Sequence, residues 1–547
     1  MRTVADDLAA HAARHPGRIA LDTPAGEITY GRLAARVDEL TRLLRARGAG
    51  PETVCAVAVE HGADAVAAMA AVIRCGAAFL TLDVAQPRER LAAFVHGAGT
   101  RLLLTTSAHA HALGLDVPTV LLDRPAAEPE RPAAEPGRPG TEPGRPAAEP
   151  ERPGTEPVRP TAEPDGPTAG PHRPTAPPDH PATPPPPVDP QALAYVSHTS
   201  GSTGEPSPVL VEHHALDAYL RDTARAFGLG PDTVALQTAP LGYDASIRDT
   251  FAPLLAGARL VIVERARLLR PGDFARTVRE HRVTALLSVT PSFLSHLAGQ
   301  PDPADPLAGV TLVASSGESL RPFLTAGGRR AVPGTLVNQY GPTECTMTTT
   351  RHAVPADPDT AADVVGTPRA GTVVRVLDAG LAPVPDGDVG EVYIGGAGVA
   401  RGYGGCPTRT AECFLPDPFG PPGARLYRTG DLGRWGPQGL TYVGRTDRQV
   451  KIRGHRVDPA EIEGALLSHP RVSGAAVTAH TDDRGRTYLA AHVTGDLTAT
   501  ADAELRTHLA RSLPPHLMPR RFQRHDTLPT TRGGKADRRR LVVGSAP

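Results

Sequence analysis

Apolar residues in the first part of the chain alternate between helical and strand spacing. They recur at helical spacing within 28–48, and they form a run typical of a buried strand over 53–60. A second helix is predicted over 64–76, where a glycine ends the pattern, and a second strand over 77–83. This alternation of strands and helices is typical of βαβ units and predicts a mostly parallel sheet.

The alternating pattern of strands and helices ends at Arg124. Six heptads of the form R-P-x-x-E-P-x run from there to Asp165, and a proline-rich stretch follows. Two prolines in each heptad exclude a coiled coil, because proline lacks the N–H that a helix needs. The segment 124–189 is therefore predicted to be an extended, disordered surface insert, with a partner-binding tether as the alternative.

Strand and helix patterns resume at Ala192 and continue to the C-terminus, with more β-structure predicted over 373–443. The predicted fold class is α/β. We expect a large N-terminal part, 1–446, with βαβ-type sheets and a β-rich subdomain. A small, mobile α+β C-terminal domain is predicted over 447–547.

Composition excludes several classes of protein. The net charge of −1 gives no basic surface for nucleic acid, so no nucleic-acid partner is expected. No apolar run reaches the roughly 18 residues of a membrane helix, and the N-terminus lacks a secretory signal. The five cysteines are scattered without a C-x-x-C pair, which predicts reduced thiols in a cytoplasmic protein.

A loop of small residues, TSGSTG at 199–204, follows the apolar run at 192–196. Its amides, hydroxyls and glycines suit a phosphate site after a strand, although an ordinary turn is the alternative. It is not a P-loop, because G-x-x-x-x-G-K-[ST] is absent. No lysine or arginine lies between Thr199 and Val211, so a bound polyphosphate would need positive charge from elsewhere.

Six further motifs follow in a fixed order. They are YDAS at 243–246, NQYGPTE at 338–344, GEVYIGGAGVARGY at 390–403, YRTGDLGRW at 427–435, GRTDRQVKIRGHRVDPAEIE at 444–463 and LPTTRGGKADRRRL at 528–541. With the loop, they resemble the adenylate-forming superfamily, and within it the amino-acid adenylation domains of nonribosomal peptide synthetases. The resemblance implies that ATP and Mg²⁺ convert a carboxylic acid to an acyl-adenylate, which is then passed to a thiol.

The resemblance also assigns a nucleotide site. The loop Thr199–Gly204 would cradle the β- and γ-phosphates, Tyr340 would pack against adenine, and Thr343 would contact the α-phosphate. Asp431 would accept hydrogen bonds from the ribose, with a strand-terminal turn as its alternative role. The other nucleotide-binding positions are Ser200, Gly201, Ser202, Thr203, Gly317, Glu318, Asn338, Gln339, Gly341, Tyr442 and Arg445.

Five residues receive roles in metal binding, catalysis and domain movement from the same resemblance. Glu344 would hold Mg²⁺, and Lys535 would be the catalytic lysine, unless it is only a surface lysine. Asp447 would be the hinge of the C-terminal domain. Lys451 and Gly454 would face the active site after the domain turns for thioester formation.

The loop departs from the family pattern TSGSTG-x-P-K-G at two positions. Ser207 stands where the family has lysine, and Pro208 stands where it has glycine. The loop thus lacks a cation and contains a rigid residue without an N–H. We interpret this as a weakened grip on pyrophosphate, with Mg²⁺ and Lys535 as the remaining sources of charge.

The amino-acid pocket is assigned by the same route. Asp244 occupies the position that pairs with a substrate α-ammonium, which implies an α-amino acid. A buried Arg248 needs an acceptor, so a polar substrate with a carboxylate or amide is predicted, unless Arg248 turns away or pairs with Asp249. The other pocket positions are Ala245, Ser288, Ala314, Ser316, Gln339, Met347 and Thr348.

Partners follow from the resemblance and from the end of the chain. Twelve residues follow Lys535 without a carrier-protein signature, which predicts a free-standing enzyme that loads a separate phosphopantetheine carrier protein. A small MbtH-like helper protein is a further candidate partner, and no membrane partner is expected. Two alternatives stay open: a ligase that delivers to coenzyme A or an amine, and a non-catalytic nucleotide-binding relative, suggested by Ser207 and Pro208.

Overall fold

The computed structural model describes residues 1–124, 187–200, 206–299, 305–482, 486–497, 500–530 and 536–541. These residues belong to one compact unit. The predicted insert lies outside the described residues over 125–186.

The helices lie mainly in the first two thirds of the chain. They are α1 Val4–Arg14, α2 Tyr30–Ala46, α3 Ala63–Arg74, α4 Arg88–Gly97, α5 Ser107–Leu113, α6 His213–Ala226, α7 Ala245–Leu255, α8 Arg265–Leu269, α9 Pro271–His281, α10 Pro291–Ala298, α11 Arg321–Thr325, α12 Pro407–Cys413, α13 Pro459–Leu467 and α14 Asp502–Leu509.

The strands alternate with these helices and then dominate after residue 335. They are β1 Ile19–Thr23, β2 Gly26–Thr29, β3 Val54–Ala58, β4 Ala78–Leu82, β5 Leu102–Thr105, β6 Thr119–Leu121, β7 Leu193–Thr199, β8 Ser207–Glu212, β9 Val234–Leu236, β10 Arg259–Val261, β11 Ala285–Val289, β12 Leu312–Ser315, β13 Thr335–Tyr340, β14 Thr350–Val354, β15 Asp363–Pro368, β16 Thr372–Leu377, β17 Gly390–Gly396, β18 Gly402–Tyr403, β19 Phe414–Pro416, β20 Arg425–Gly436, β21 Gly439–Arg445, β22 Val450–Ile452, β23 His455–Val457, β24 Val472–Thr481, β25 Thr487–Gly495 and β26 Arg521–Arg524.

Helix α2 shows how the sequence sets a local element. The hydroxyl of Thr29 accepts the backbone N–H of Arg32 and caps the N-terminus, because the first helical N–H groups have no partner within the helix. Its apolar side chains then recur every three or four residues and are buried at Leu33, Val37, Leu40 and Leu44. The predicted helix within 28–48 is therefore confirmed.

Two large sheets carry the N-terminal part. The first has the strand order β16-β17-β20-β21-β15-β14-β13-β12-β11-β9-β10-β1-β2, and β19 pairs with β20. Its strands from β13 through β12, β11, β9 and β10 to β1 pair in parallel, whereas those from β13 to β16 pair antiparallel. The second sheet has the order β18-β8-β7-β4-β3-β5-β6 and is parallel from β7 to β6.

The last part of the chain has its own sheets and core. Strands β22 and β23 form a hairpin, and β24, β25 and β26 form a three-stranded sheet against α13. An apolar cluster that includes Ile452, Ile462 and Leu489 fills this part. The predicted α/β class, with a β-rich subdomain and a small α+β part, is confirmed, while a domain boundary at Asp447 stays a prediction.

Two smaller predictions can be compared with the structure. All five cysteines are free, as expected. Across the described residues, no helix has both the length and the apolar character that crossing a bilayer requires.

Candidate nucleotide and amino-acid site

The predicted site residues gather where parallel strands end. Ser316, Gly317 and Glu318 follow β12, the segment Asn338–Tyr340 ends β13, and Thr199 ends β7. Carboxyl ends of parallel strands lie at one edge of a sheet, where α/β proteins commonly bind ligands. The topology therefore brings together motifs that are far apart in sequence.

Three of the predicted nucleotide residues form one cluster. The hydroxyl of Tyr340 donates to Oδ2 of Asp431 at 2.6 Å, and the guanidinium of Arg445 bonds the other carboxylate oxygen. Burial and the neighbouring carboxylate raise the pKa of Tyr340, so its hydroxyl stays protonated and remains a donor. Tyr442 lies close by, with its ring centroid 6.4 Å from that of Tyr340.

The predicted hinge residue is tied to this cluster. Arg445 donates to both carboxylate oxygens of Asp447, at 2.6 and 2.7 Å, and to the carbonyl of Thr429 at 3.0 Å. Burial alone would raise the pKa of Asp447, but the Arg445 guanidinium outweighs it and holds that pKa below its usual value. A bidentate pair of this kind fixes orientation as well as charge.

Glu344, the predicted Mg²⁺ ligand, is fully buried. The hydroxyl of Tyr403 donates to it at 2.7 Å, and Arg456 donates to its two carboxylate oxygens at 3.2 and 3.1 Å. Burial alone would raise the pKa of Glu344, but Arg456 and Tyr403 hold it below its ordinary value. A buried, ionised carboxylate fits a hard cation, and Arg456 supplies the positive charge at that carboxylate here.

Arg456 is a residue that sequence reasoning missed. It lies in β23, two residues after Gly454, and its backbone carbonyl accepts a hydrogen bond from the hydroxyl of Ser200 at 3.0 Å. Its Nε donates to Gln449 at 2.6 Å. Arg456 lies within the motif at 444–463, and that position was the sequence signal for it. Its partner Glu344 is 112 residues away in the sequence.

Gly454 and Lys451, which the resemblance assigns to thioester formation, each contact a predicted nucleotide residue in this structure. The N–H of Gly454 donates to Oε1 of Glu318 at 2.7 Å. Gly454 has a φ of +82°, and a Cβ there would lie 2.5 Å from the side chain of Thr290, so only glycine fits. A Cβ on Gly317 would lie 3.2 Å from the Gly454 carbonyl, because the two backbones pack directly together.

Lys451 lies over the aromatic residues of the nucleotide cluster. Its ammonium nitrogen is 5.8 Å from the ring centroid of Tyr340 and 5.9 Å from that of Tyr442, which is cation–π distance. Burial lowers the pKa of Lys451, and the Asp431 carboxylate opposes that effect. A cation from the C-terminal part is therefore held beside the predicted nucleotide site.

Arg248, in the predicted amino-acid pocket, is 1% exposed. It donates to the hydroxyls of Ser288 at 2.8 and 3.0 Å, Thr348 at 3.0 Å, Tyr219 at 3.2 Å and Ser316 at 3.3 Å. All of these partners are neutral. Their hydroxyls orient the guanidinium without neutralising its charge, which arginine keeps at any working pH.

Asp249 does not form the ion pair considered as an alternative. Its Oδ2 accepts the backbone N–H groups of Thr238 and Ala239, both at 2.9 Å. Asp249, in α7, therefore holds the segment after β9 in place, and the described residues give Arg248 no hydrogen-bonded carboxylate.

Asp244 lies one helical turn before Arg248, at the N-cap of α7. Its Oδ2 is buried and has no hydrogen-bond partner among the described residues. Burial raises the pKa of this carboxyl, while the Thr343 hydroxyl and Arg248 oppose the rise. A buried carboxylate oxygen without a partner is costly unless a ligand supplies a donor.

The other predicted pocket residues have mixed placements. Ser288 donates to the carbonyl of Ala245 at 3.1 Å, and Thr348 lies 3.5 Å from Oε1 of Gln339. Met347 has a φ of +69° in the turn after β13. Ala314 is buried within β12, and Gly341 packs so tightly that a Cβ would lie 2.6 Å from the Thr349 nitrogen.

Some predicted residues are not brought into the cluster or cannot be placed. The side-chain amide of Asn338 donates to the carbonyl of Val364 at 2.8 Å, which holds β15 in place. Lys535 and the loop residues Gly201, Ser202, Thr203 and Gly204 lie outside the described residues. Their assigned roles stay predictions.

Two family models match the chain. The model described as AMP-binding enzyme matches residues 8–404, and the one described as AMP-binding enzyme C-terminal domain matches residues 461–535.

Similar proteins include two curated peptide synthetases and a solved structure. The chain is 38% identical to phosphinothricin tripeptide synthetase PhsC of Streptomyces viridochromogenes, over 99% of this chain and 45% of that protein. It is 34% identical to the dimodular nonribosomal peptide synthase of Bacillus subtilis, over 96% of this chain and 20% of that protein. Holo-PA1221, an NRPS protein containing adenylation and PCP domains, matches with a TM-score of 0.75 at 26% identity, over 99% of this chain and 85% of that one. The chain thus spans less than half the length of these two curated relatives.

Proposed function

The chain belongs to the AMP-binding enzyme family, as an adenylation domain of the adenylate-forming superfamily, and we propose that it activates a polar α-amino acid with ATP. The aminoacyl group would then pass to the phosphopantetheine thiol of a carrier protein. One observation carries the substrate assignment: a buried, unpartnered carboxylate oxygen on Asp244 lies one turn from the buried guanidinium of Arg248.

The charges of Asp244 and Arg248 are complementary to the α-ammonium and to the polar side chain of a substrate amino acid. The Asp244 carboxylate would pair with the substrate α-ammonium, because that oxygen needs a donor. Arg248 would donate hydrogen bonds to the side-chain carboxylate or amide oxygen of the substrate, since its present partners are four neutral hydroxyls. An acidic or amide-bearing amino acid meets both requirements.

The nucleotide residues would position ATP for attack by the substrate carboxylate. In that step the carboxylate oxygen bonds to the α-phosphorus and pyrophosphate leaves. Tyr340 would pack on adenine, Asp431 would accept the ribose hydroxyls and Thr343 would contact the α-phosphate. Glu344 would hold Mg²⁺, which offsets the phosphate charge when bound, and Lys535 would act on the developing charge.

The C-terminal part of this structure supports a second, thioester-forming step. Gly454 and Lys451 contact the site residues Glu318 and Tyr340. In that step the carrier thiol sulfur would attack the adenylate carbonyl, and AMP would leave. The similarity to holo-PA1221, an NRPS protein that contains adenylation and PCP domains, supports a carrier-protein partner.

Amino-acid-dependent ATP–pyrophosphate exchange tests the first step. We expect exchange above background with aspartate, glutamate, asparagine or glutamine, and little with aliphatic or aromatic amino acids. Lys535→Ala serves as the matched inactive control: it should keep the melting temperature and lose more than about nine tenths of the exchange. Separate reactions with a carrier protein and with an MbtH-like helper test the proposed partners.

Three outcomes would contradict the proposal. Exchange only with aliphatic or aromatic amino acids would remove the polar-substrate assignment. Thioester formation with coenzyme A in place of a carrier would favour the ligase alternative. Nucleotide binding by a folded protein without exchange on any acid would favour the non-catalytic alternative.

A further inference from the structure

The cation that the loop at 199–207 lacks lies on another element. Arg409, in α12, donates from Nη1 to the hydroxyl of Ser207 at 2.6 Å. Ser207 is the position at which the family pattern has lysine. We propose that Arg409 replaces that lysine and binds the β- or γ-phosphate of ATP, an inference that rests on the proposed function.

The hairpin geometry places Arg409 at the base of the loop. Thr199 and Ser207 are direct partners in the antiparallel pair of β7 and β8, so their side chains lie on the same face. The hydroxyl oxygen of Thr199 is buried and has no partner among the described residues. An unpartnered hydroxyl and a cation thus lie together where the loop begins and ends.

Strand β18 fixes the position of Arg409. Tyr403 in β18 pairs with Val209 in β8, and the N–H of Tyr403 donates to the Thr410 hydroxyl at 3.0 Å. The N–H of Gly404 also donates to the carbonyl of Pro208 at 2.8 Å. The helix that carries Arg409 is therefore held against the strand that ends the loop, and Pro208 takes part in that contact.

Arg409 also lies next to the predicted metal ligand. Its guanidinium carbon is 4.5 Å from the ring centroid of Tyr403, whose hydroxyl donates to Glu344 at 2.7 Å. This stacking holds the long side chain in one orientation. Tyr403 thus contacts both Arg409, at the base of the loop, and the buried carboxylate of Glu344.

The charge of Arg409 is not neutralised within the described part of the chain. The structure gives it one hydrogen bond, to a neutral hydroxyl, and no carboxylate within ion-pair distance. A guanidinium has five N–H donors, and the described residues leave the others available to a ligand. Phosphate matches the fork geometry of these donors, and this favours an anionic ligand over a purely structural role.

The proposal predicts how Ser207→Lys affects the affinity for ATP. A lysine there would place a second cation within contact of Arg409, so the single variant should not improve ATP affinity. The double variant Ser207→Lys/Arg409→Gln removes the cation at position 409 and places one at position 207. It should restore the affinity for ATP. The two positions are therefore expected to be coupled.

Calorimetric titration of the full chain with MgATP and with AMP tests the assignment. Arg409→Gln should raise the Kd for ATP about tenfold or more, because a charged contact to phosphate is lost. The Kd for AMP should change less than about twofold, since AMP has no β- or γ-phosphate. Ser207→Lys/Arg409→Gln should bring the ATP Kd back to within about threefold of the wild type.

Arg506→Gln is the matched control, because Arg506 stacks on Phe522 and donates to carbonyls far from the loop. It should leave both affinities unchanged, and melting temperatures check folding. Equal ATP Kd values for Arg409→Gln and wild type would overturn the proposal, as would an equal loss of ATP and AMP binding. Failure of the proposed function is distinguishable, because the wild type itself would then bind no ATP or would show no exchange.

Discussion

At the scale of the residue, Arg248 is predicted to determine which substrates the amino-acid pocket binds. Its guanidinium is buried and oriented by hydroxyls from helix α6, strand β11 and the segments after β12 and β13, and none of these hydroxyls carries a negative charge. The carboxylates of Asp249 and Asp244 act on this buried charge through space, without a hydrogen bond to it. We therefore expect this residue to act on substrate selection as well as on packing.

Replacing Arg248 with alanine should invert the substrate preference. An acidic substrate would then bury an unpaired carboxylate, which costs about 3–5 kcal/mol. We expect exchange with aspartate or glutamate to fall by two or more orders of magnitude, while asparagine or glutamine gains relative preference. Measured kcat/KM values for each acid and its amide provide the comparison.

A volume-matched variant separates specificity from folding. Arg248→Met fills the same space without charge and should show the same inversion with a melting temperature near that of the wild type. If both variants keep the wild-type preference, Arg248 does not contact the substrate and the acidic assignment is wrong.

At the scale of the element, the connection between β21 and β22 links the nucleotide site to the C-terminal part. Arg445 binds Asp431 on one side and Asp447 on the other, so one side chain spans the predicted pivot. A rotation at Asp447 would have to break this bidentate contact. The predicted hinge is thus coupled to the carboxylate that is predicted to bind ribose.

Substituting Asp447 with proline should separate the two half-reactions. Proline fixes φ near −65° and removes the N–H, so rotation at this residue is blocked. We expect adenylate formation to remain within about threefold of wild type, while carrier loading falls at least tenfold. Exchange and carrier-thioester assays on the same preparation measure the two rates.

Asp447→Ala is the control for the lost carboxylate. It removes the contact with Arg445 but leaves the backbone free to rotate. If alanine and proline impair carrier loading equally, the ion pair matters and the rotation does not. An equal loss of both half-reactions with proline would indicate misfolding.

At the scale of the whole molecule, two further contacts outside the predicted site hold the C-terminal part against the rest. Arg90 in α4 forms an ion pair with the buried Glu461 in α13. Tyr243 lies 4.7 Å from His455, whose ring stacks on His516 at 3.9 Å, measured between centroids. Docking therefore buries two imidazoles in contact with each other.

Acidification should weaken this docking. Burial lowers the pKa of His455 to about 4, with Arg265 and Arg453 adding to the shift. Burial lowers the pKa of His516 to about 2, with the His455 imidazole and Arg90 adding to the shift. When released, both would titrate near the ordinary 6.5, so the released form binds more protons below that pH. Docking is complete above about pH 6.5 and weakens by up to about 1.4 kcal/mol per histidine at pH 5.5.

Limited proteolysis near Asp447 at pH 7.5 and 5.5 measures this effect, with cleavage expected to rise at the lower pH. His455→Gln/His516→Gln carries no titrating group at either position and should flatten the response. Cleavage that is independent of pH in the wild type would contradict the prediction. Fluorescence energy transfer between labels on the two parts gives a second measure.

The sequence by itself determined the elements and the order of the motifs, because apolar spacing and turn residues act between neighbours along the chain. It predicted the helix within 28–48, the strand at 53–60 and the family to which the chain belongs. It also identified Arg248 as a residue in need of a partner, and it identified the missing loop lysine at Ser207.

Only the tertiary structure decided which charged and polar side chains contact each other. Arg409 and Ser207 are 202 residues apart, and Arg456 and Glu344 are 112 apart, so no local pattern joins them. The hydroxyls around Arg248 likewise come from helix α6, strand β11 and the segments after β12 and β13. Such contacts depend on how sheets and their end loops pack, and a side chain's charge partner is set by distance in space, not by spacing in sequence.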